Sequence, residues 1–345
     1  MLSLAYYHWR RSVSKMRYSY NLAKSLFPKS FISRHWNIYP SDYKEILFNK
    51  EKLENFRSNE LSYKFNDTLE KGMFSRTKRI FNRLSKITGD NFIEENKEVI
   101  VGKPRNIKFK NNFYDYHDLF LIYFYHTLLP FLYEKHKKNN PFVSEIGGGY
   151  GGLMYRIKRN FPNAVCMLFD LPEQNFISNY YLTKLNPNAK VLNLEKLLKI
   201  KKVADIESLY IEKEDLRGFD YVILPGYLIE RLDRDLIDIF INTRSFMEMN
   251  LDTVNFYFKH IHRTIKDNGL LYCVNRYQKK TSGDLVKFKS LPFDKKWKFK
   301  ISRKSFCQPL IHEALLKRVA TENALLKTEL SRLRPYDIEF FQTLL

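Results

Sequence analysis

Cysteine is scarce: Cys166, Cys273 and Cys307 are the only three in 345 residues, and none forms a CxxC pair. That argues against a disulfide framework or a thiolate zinc site and fits reduced thiols in a cytoplasmic protein. Long apolar runs are lacking too. The most apolar stretch, LFLIYFYHTLLPFLY (Leu119–Tyr133), contains His126 and Pro130 and falls short of the roughly 20 residues that span a bilayer. It reads as a buried, aromatic-rich helix. Acidic residues are missing ahead of Asp42, while Arg10, Arg11, Lys15 and Arg17 crowd the start. No apolar segment with a small-residue cleavage site follows them, so a secretory signal is not expected.

Glycine is also rare, at 12 residues, yet five of the 12 fall in the six positions Gly147–Gly152. Glycine costs roughly 0.5–1 kcal/mol inside a regular element, so such a cluster needs a local reason. The usual one is a backbone that passes close to a ligand.

What is present is ample apolar material, 44% hydrophobic and 16% aromatic, and a net charge of +21. These proportions give a packed core and exclude a disordered chain. The excess charge sits mainly ahead of the glycine cluster: 26 − 14 = +12 for residues 1–140, 22 − 18 = +4 for 141–290 and 11 − 6 = +5 for 291–345. A field of that sign attracts phospholipid, nucleic acid or sugar phosphates, although a Lys- and Asn-rich composition alone also produces it.

Three regions are expected. Residues 1–110 form a basic, mostly helical N-terminal region. Its first 40 residues either lie on an anionic membrane surface or dock on the body. Residues 111–310 alternate short apolar runs with helical periods. PFVSEIG, AVCMLFDL, FDYVILPG, IDIFINTRSF and LLYCVNRY read as strands. Residues 151–160, 173–185 and 251–269 read as helices, the last capped by Gly269. This is an α/β pattern, a doubly wound and mainly parallel sheet. Residues 188–217 read as an insertion before the third strand, with 190–194 a rival for that strand. Residues 311–345 read as a C-terminal helix. Leu316, Val319, Asn323, Leu326, Leu330 and Leu333 follow a 3,4 spacing that suits a short coiled coil and a homodimer, or an amphipathic helix packed on its own body.

The glycine cluster satisfies two cofactor patterns. Gly147, Gly149 and Gly152 fit GxGxxG, the dinucleotide fingerprint. Glu145, Gly147, Gly149 and Gly151 fit [DE]xGxGxG, the first motif of class I S-adenosylmethionine-dependent methyltransferases. Asp170, at the end of the second strand, suits ribose hydroxyls in either case. Glu145 decides between them. A carboxylate two residues before the first glycine repels a pyrophosphate and suits the ammonium and sulfonium of S-adenosylmethionine. No Lys or Arg lies within the loop. Cofactor contacts are therefore expected from Glu145, Gly147, Gly148, Gly149, Tyr150, Gly151, Asp170, Leu171, Pro225, Gly226 and Asn242.

EIGGGYGGL, FDLPE, FINTRSFMEM and LYCVNRYQK together resemble a family of sugar O-methyltransferases found with surface-polysaccharide genes. The resemblance runs from about Val101 to Arg318, with EIGGGYGG and SFMEM its specific parts. It implies a Rossmann-like fold, S-adenosylmethionine as cofactor and a sugar or glycan acceptor. Met247 stands where the family pattern has Gln, which removes a polar group from the expected acceptor side.

Methyl transfer to a hydroxyl needs in-line positioning and a base. Glu248 follows the fourth strand and is the expected catalytic base; a carboxylate at a helix start is the alternative reading. Arg244 and Arg276 end strands four and five and suit an anionic acceptor, or structural ion pairs. Tyr227 is expected to line the substrate pocket. His262 is expected on an exposed helix face. No paired carboxylates mark a metal site. NTRS, where base-amino methylases carry an [ND]PP[YF] tetrapeptide, argues against a nucleic acid acceptor. Ribose methylation of RNA and a non-catalytic scaffold stand as alternatives.

Overall fold

The computed structural model describes residues 2–28, 31, 46–58, 67–137, 140–203, 206–281, 284–306 and 310–333. Among these, the chain opens with α1 (Leu2–Ser25), α2 (Lys50–Glu54), α3 (Asp67–Thr88) and α4 (Asp90–Asn96). A small hairpin of β1 (Ile107–Phe109) and β2 (Asn112–Tyr114) leads into α5 (Tyr116–His136). Asp115 caps α5 by accepting from the Asp118 N–H. This helix holds the apolar run noted above, and Leu119–Tyr125 is buried throughout. Among the described residues no helix is long and apolar enough to cross a membrane.

The central element is an eight-stranded sheet. Its strands are β3 (Phe142–Ile146), β4 (Val165–Asp170), β5 (Val191–Asn193), β6 (Tyr221–Pro225), β7 (Ile237–Thr243), β8 (Ile265–Arg276), β11 (Trp297–Lys304) and β12 (Ile311–Arg318). The order across the sheet is β11-β12-β8-β7-β3-β4-β6-β5. Every pairing from β8 to β5 is parallel, and β12 runs antiparallel between β8 and β11. The order reverses at β3, where the chain goes one way to β4 and the other way to β7. That switch point opens a crevice at the carboxyl ends of the strands.

Helices α6 (Gly152–Asn160), α7 (Pro172–Leu185), α8 (Leu194–Lys201), α9 (Lys213–Leu216) and α10 (Leu251–Thr264) connect the strands. Strands buried on both faces read as continuous apolar runs, and alternate residues go to opposite cores. Val143, Cys166 and Leu168 join the cluster beneath α5, α6 and α7. Phe142, Ile146, Val165, Met167 and Phe169 join the cluster beneath α8 and α10. Each fully buried Leu, Val or Phe stabilises by about 1.5–3 kcal/mol.

The described part of the N-terminal region shares this core. Leu53, Phe56, Ile80, Phe81 and Leu84 belong to the same cluster as Leu119 and Leu153. Val13, Met16, Tyr20 and Ala23, spaced by three and four, are buried along α1. Lys24 pairs with Glu173 of α7 at 2.6 Å. Along residues 13–24 the apolar stripe of α1 packs on the protein body; no side chain before Val13 is described.

Three sequence expectations need correction. The helix from Leu251 ends at Thr264, not at Gly269, because Ile265 is already paired with Ile237 as β8 begins. Residues 188–217 contain both β5 and α8, so the rival strand exists beside the third one as the sheet edge. The C-terminal helix from residue 311 does not exist as a heptad seam. Ile311–Arg318 is β12, with Leu316 paired between Phe299 and Leu271 and fully buried. Asn323 donates to the Trp297 carbonyl, and among the described residues after β12 only α11 (Leu326–Arg332), seven residues long, is helical. Residues 334–345 and Cys307 lie outside the described residues.

Candidate active site

The glycine loop joins β3 to α6. Gly147 has φ +69°, and a Cβ there would lie 2.1 Å from the Ser245 hydroxyl. Only glycine lets the loop close over the turn that follows β7. Gly149 has φ +57°, and a Cβ there would meet nothing within 4 Å among the described residues, so the loop presents backbone to open space at that point. Its N–H donates to Asp170 Oδ2 at 2.8 Å, and Asp170 Oδ1 accepts from the Leu171 N–H at 2.7 Å.

Beneath the loop lies Glu145. The side chain is buried, with Oε1 accepting from the Thr243 hydroxyl at 3.3 Å. Oε2 has no hydrogen-bond partner among the described residues and would sit 3.0 Å from a Cβ on Gly148. Burial pushes the Glu145 carboxyl up to about 8, against the Thr243 hydrogen bond and with help from the Asp170 charge. Burial likewise raises Asp170 to about 7, opposed by its two backbone hydrogen bonds and reinforced by Glu173 and Glu248. In a chain with net charge +21, this crevice is acidic. Burial disfavours the charged form of both carboxyls.

Pro225 is the register partner of Asp170, so Pro225 and Gly226 flank the same crevice. A Cβ on Gly226 would meet the Tyr257 hydroxyl at 2.1 Å. Pro225 also lines an open groove together with Tyr20, Asn175, Asn179, Asn193 and Ile223. The Asn175 Oδ1 atom is buried without a hydrogen-bond partner among the described residues. Nothing in the sequence singled out Asn175, and no local motif marks it.

Three expected contacts take other roles. Asn242 donates to the Ile146 carbonyl at 2.9 Å and to Ser245 Oγ at 2.6 Å, and its Oδ1 accepts from Asn275 at 2.9 Å and the Phe246 N–H at 3.2 Å. All four of its hydrogen-bonding positions are used. Its side chain therefore fixes the turn after β7. Tyr150 is half-buried against protein. Its ring stands under the Arg57 guanidinium at 5.0 Å and edge-on to Tyr181, and its hydroxyl meets His117 Nδ1 at 3.4 Å. Tyr227 is 6% exposed and packs edge-on to Phe27 at 5.5 Å, so it belongs to the core rather than to a substrate pocket.

The turn after β7 carries the remaining candidates. Arg244 has φ +69° and donates its N–H to the Val274 carbonyl at 2.7 Å. Glu248 ends a short 3₁₀ turn (Phe246–Glu248). The cap of α10 is Asn250, which accepts from the Thr253 N–H, so Glu248 does not serve the helix start. Glu248 pairs instead with Lys279 at 3.6 Å. Lys279 lies on β9 (Gln278–Thr281), which pairs with β10 (Asp284–Lys287) to form a hairpin beyond β8. Lys279 was not legible as a site residue because its place depends on that hairpin. Arg276, exposed at the end of β8, donates its N–H to Met247 Sδ at 3.3 Å. His262 is not on an exposed face. It packs against Trp297 and lies 3.6 Å from Asp294. Among the described residues no three His, Cys, Asp or Glu side chains gather as metal ligands.

No family model matches the sequence, and no curated protein matches it. Solved structures with similar folds include the mitomycin 7-O-methyltransferase MmcR, at 15% identity over 59% of this chain with a TM-score of 0.35. They also include the pyocyanin biosynthetic protein PhzM, at 11% identity over 59% of this chain with a TM-score of 0.38. The chain spans little more than half the length of each, 57% and 58%. TehB from Haemophilus influenzae is similar at 13% identity over 55% of this chain and 62% of its own, with a TM-score of 0.36. At these identities and scores the likeness carries nothing about chemistry, which rests on the residues described above.

Proposed function

We propose that the chain is an S-adenosylmethionine-dependent O-methyltransferase acting on a sugar hydroxyl. One observation carries the cofactor: a buried carboxylate oxygen, Glu145 Oε2, without a partner among the described residues and directly beneath an open glycine loop. Burial disfavours the charged form of this carboxyl, and a cation bound beside it would restore that form. A dinucleotide would bring a pyrophosphate to that loop and meet repulsion from Glu145 and Asp170. The ammonium and sulfonium of S-adenosylmethionine have the matching sign.

In this reading Glu145 and the backbone of Gly147–Gly151 hold the amino-acid end, Asp170 takes the ribose hydroxyls, and the groove beside Pro225 takes the adenine. Asn175 Oδ1 supplies an acceptor there for the exocyclic amino group. When bound, S-adenosylmethionine supplies a sulfonium-activated methyl group, whose bond to sulfur breaks as an acceptor oxygen takes it. Glu248 takes the acceptor's hydroxyl proton. Ser245 and Asn242 fix the turn that carries Glu248, so that base and glycine loop keep one geometry. The sugar acceptor is supported by the resemblance of EIGGGYGG and SFMEM to the sugar O-methyltransferases. The test is transfer of labelled methyl from S-adenosylmethionine to a panel of sugars. Incorporation that disappears in Glu145→Gln supports the reading, and cofactor binding without transfer to any sugar removes the acceptor assignment.

A further inference from the structure

The ends of β7 and β8 carry a second set of charges, opposite in sign to the acidic crevice. Arg244 leaves β7 in the left-handed region, a conformation that a non-glycine residue holds only when its surroundings require it. Its side chain is half-buried, and Nε is buried without a hydrogen-bond partner among the described residues. Arg276 ends β8, the strand paired with β7, and Lys279 follows on β9, where it reaches Glu248. Burial, opposed by Glu248, and the like charges of Arg276 and Arg244 hold the Lys279 ammonium below its ordinary range. Arg244 also acts on His117, whose imidazole is brought down to about 3, chiefly by burial, and stays neutral. Lys279, the partner of Glu248, thus lies in the field of two further cations, Arg244 and Arg276. Gathering like charges about the half-buried Arg244 and Lys279 is unfavourable unless another anion arrives.

We propose that the acceptor is an acidic sugar whose carboxylate or phosphate pairs with Arg244, Arg276 and Lys279. This rests on the methyltransferase reading and narrows its substrate class. A guanidinium half-sunk at the strand ends suits one compact anionic group and offers a planar fork to it. It does not suit a nucleic acid backbone, which lies across an exposed basic surface. The anion also has a consequence for the base. As Lys279 turns to the anion its hold on Glu248 weakens, and Glu248 accepts the hydroxyl proton as the oxygen–methyl bond forms and the sulfur–methyl bond of the cofactor breaks. The sulfonium charge is lost, the sulfur leaves as a neutral thioether, and the proton stays on Glu248. The site then has two halves, acidic under the cationic donor and basic under the anionic acceptor, with Glu248 at their junction.

The test follows the Arg244 Nε–Hε resonance by NMR, assigned from its loss in Arg244→Lys, while glucuronate, glucose 6-phosphate or glucose is titrated. A saturable shift with glucuronate or glucose 6-phosphate, and at least tenfold weaker binding of glucose, is expected. Glucuronate alone would assign a carboxylate, and the sugar phosphate alone a phosphate. The double variant Arg276→Gln/Lys279→Gln should weaken the anionic sugar at least tenfold. Both of its positions are at or near the surface, so folding is not at stake. Equal binding of glucose, no response to either anion, undiminished binding by the double variant, or saturation by a short single-stranded RNA in place of the sugars would each overturn the proposal. S-adenosylmethionine binding, measured separately by calorimetry, distinguishes the failures. Binding without an anion response removes the acceptor inference alone, whereas absent binding removes the cofactor reading beneath it.

Discussion

Asp170 holds the backbone N–H of Gly149 at 2.8 Å, so the acid at the tip of β4 and the loop after β3 form one unit. Asp170 therefore helps to shape the glycine loop, and the ribose role proposed for it would fall to the same side chain. Asp170→Asn keeps one carbonyl oxygen and loses the second acceptor. S-adenosylmethionine affinity should fall about tenfold or more, corresponding to roughly 1.5–3 kcal/mol for a charged hydrogen bond. Calorimetric titration of parent and variant checks this, and equal affinities would separate Asp170 from the site.

Glu145 makes binding and stability depend on pH in opposite senses. Its carboxyl stands at about 8 in the fold, against about 4.3 in an unfolded chain. The folded state then binds the proton more tightly, so this residue's contribution to stability falls as pH rises through that window. Glu145→Gln should gain stability relative to the parent across it, by an amount of the order of a few kcal/mol. A bound cation favours the carboxylate. S-adenosylmethionine affinity in the parent should therefore rise from about pH 6 to about pH 8 and level off above, with proton release on binding. Asp170, at about 7, adds a shift of the same sign. Affinities that do not change with pH would show that neither group meets the ligand's charge.

Arg57 ties the N-terminal region to the loop. It is buried, pairs with Glu98 at 2.5 Å and Asp115 at 3.3 Å, and stacks over Tyr150. Arg156, equally buried, takes Asp118 at 2.5 Å. Arg57→Ala strands two buried carboxylates and should cost about 3–5 kcal/mol in urea unfolding. A loss under about 1 kcal/mol would mean that the network relaxes around the gap.

Leu316 separates the strand from the coiled coil. As a core residue of β12 it should cost about 2–5 kcal/mol when replaced by Ala, with an unfolding midpoint independent of protein concentration. A midpoint that moves with concentration would restore the dimer seam.

The sheet was legible because buried parallel strands are short apolar runs between turns, as in FVSEI and VCMLF. The glycine loop was legible because its residue types have few other uses. The C-terminal strand was not. In IHEALLKR, Leu315 and Leu316 satisfy a helical spacing as well as a strand, and what decides is pairing with β8, forty residues away in sequence. The same applies to Ile265, taken from its helix by Ile237. Glu145, Asp170 and Glu248 stand out by their position relative to strand ends, and the structure sets them near the ends of β3 and β4 and in the turn after β7. The part Asn242 plays in fixing that turn could not be read until its four hydrogen bonds were visible. Lys279, Asn175 and Arg57 reach the site through tertiary packing with no local signature.

The most direct measurement is calorimetric titration of the purified protein with S-adenosylmethionine and, separately, with NADH. One saturable site for S-adenosylmethionine, lost in Glu145→Gln, and no binding of NADH is the predicted result. NADH binding alone, or binding of neither, would contradict the assignment of the glycine loop and its buried carboxylate to a cationic methyl donor.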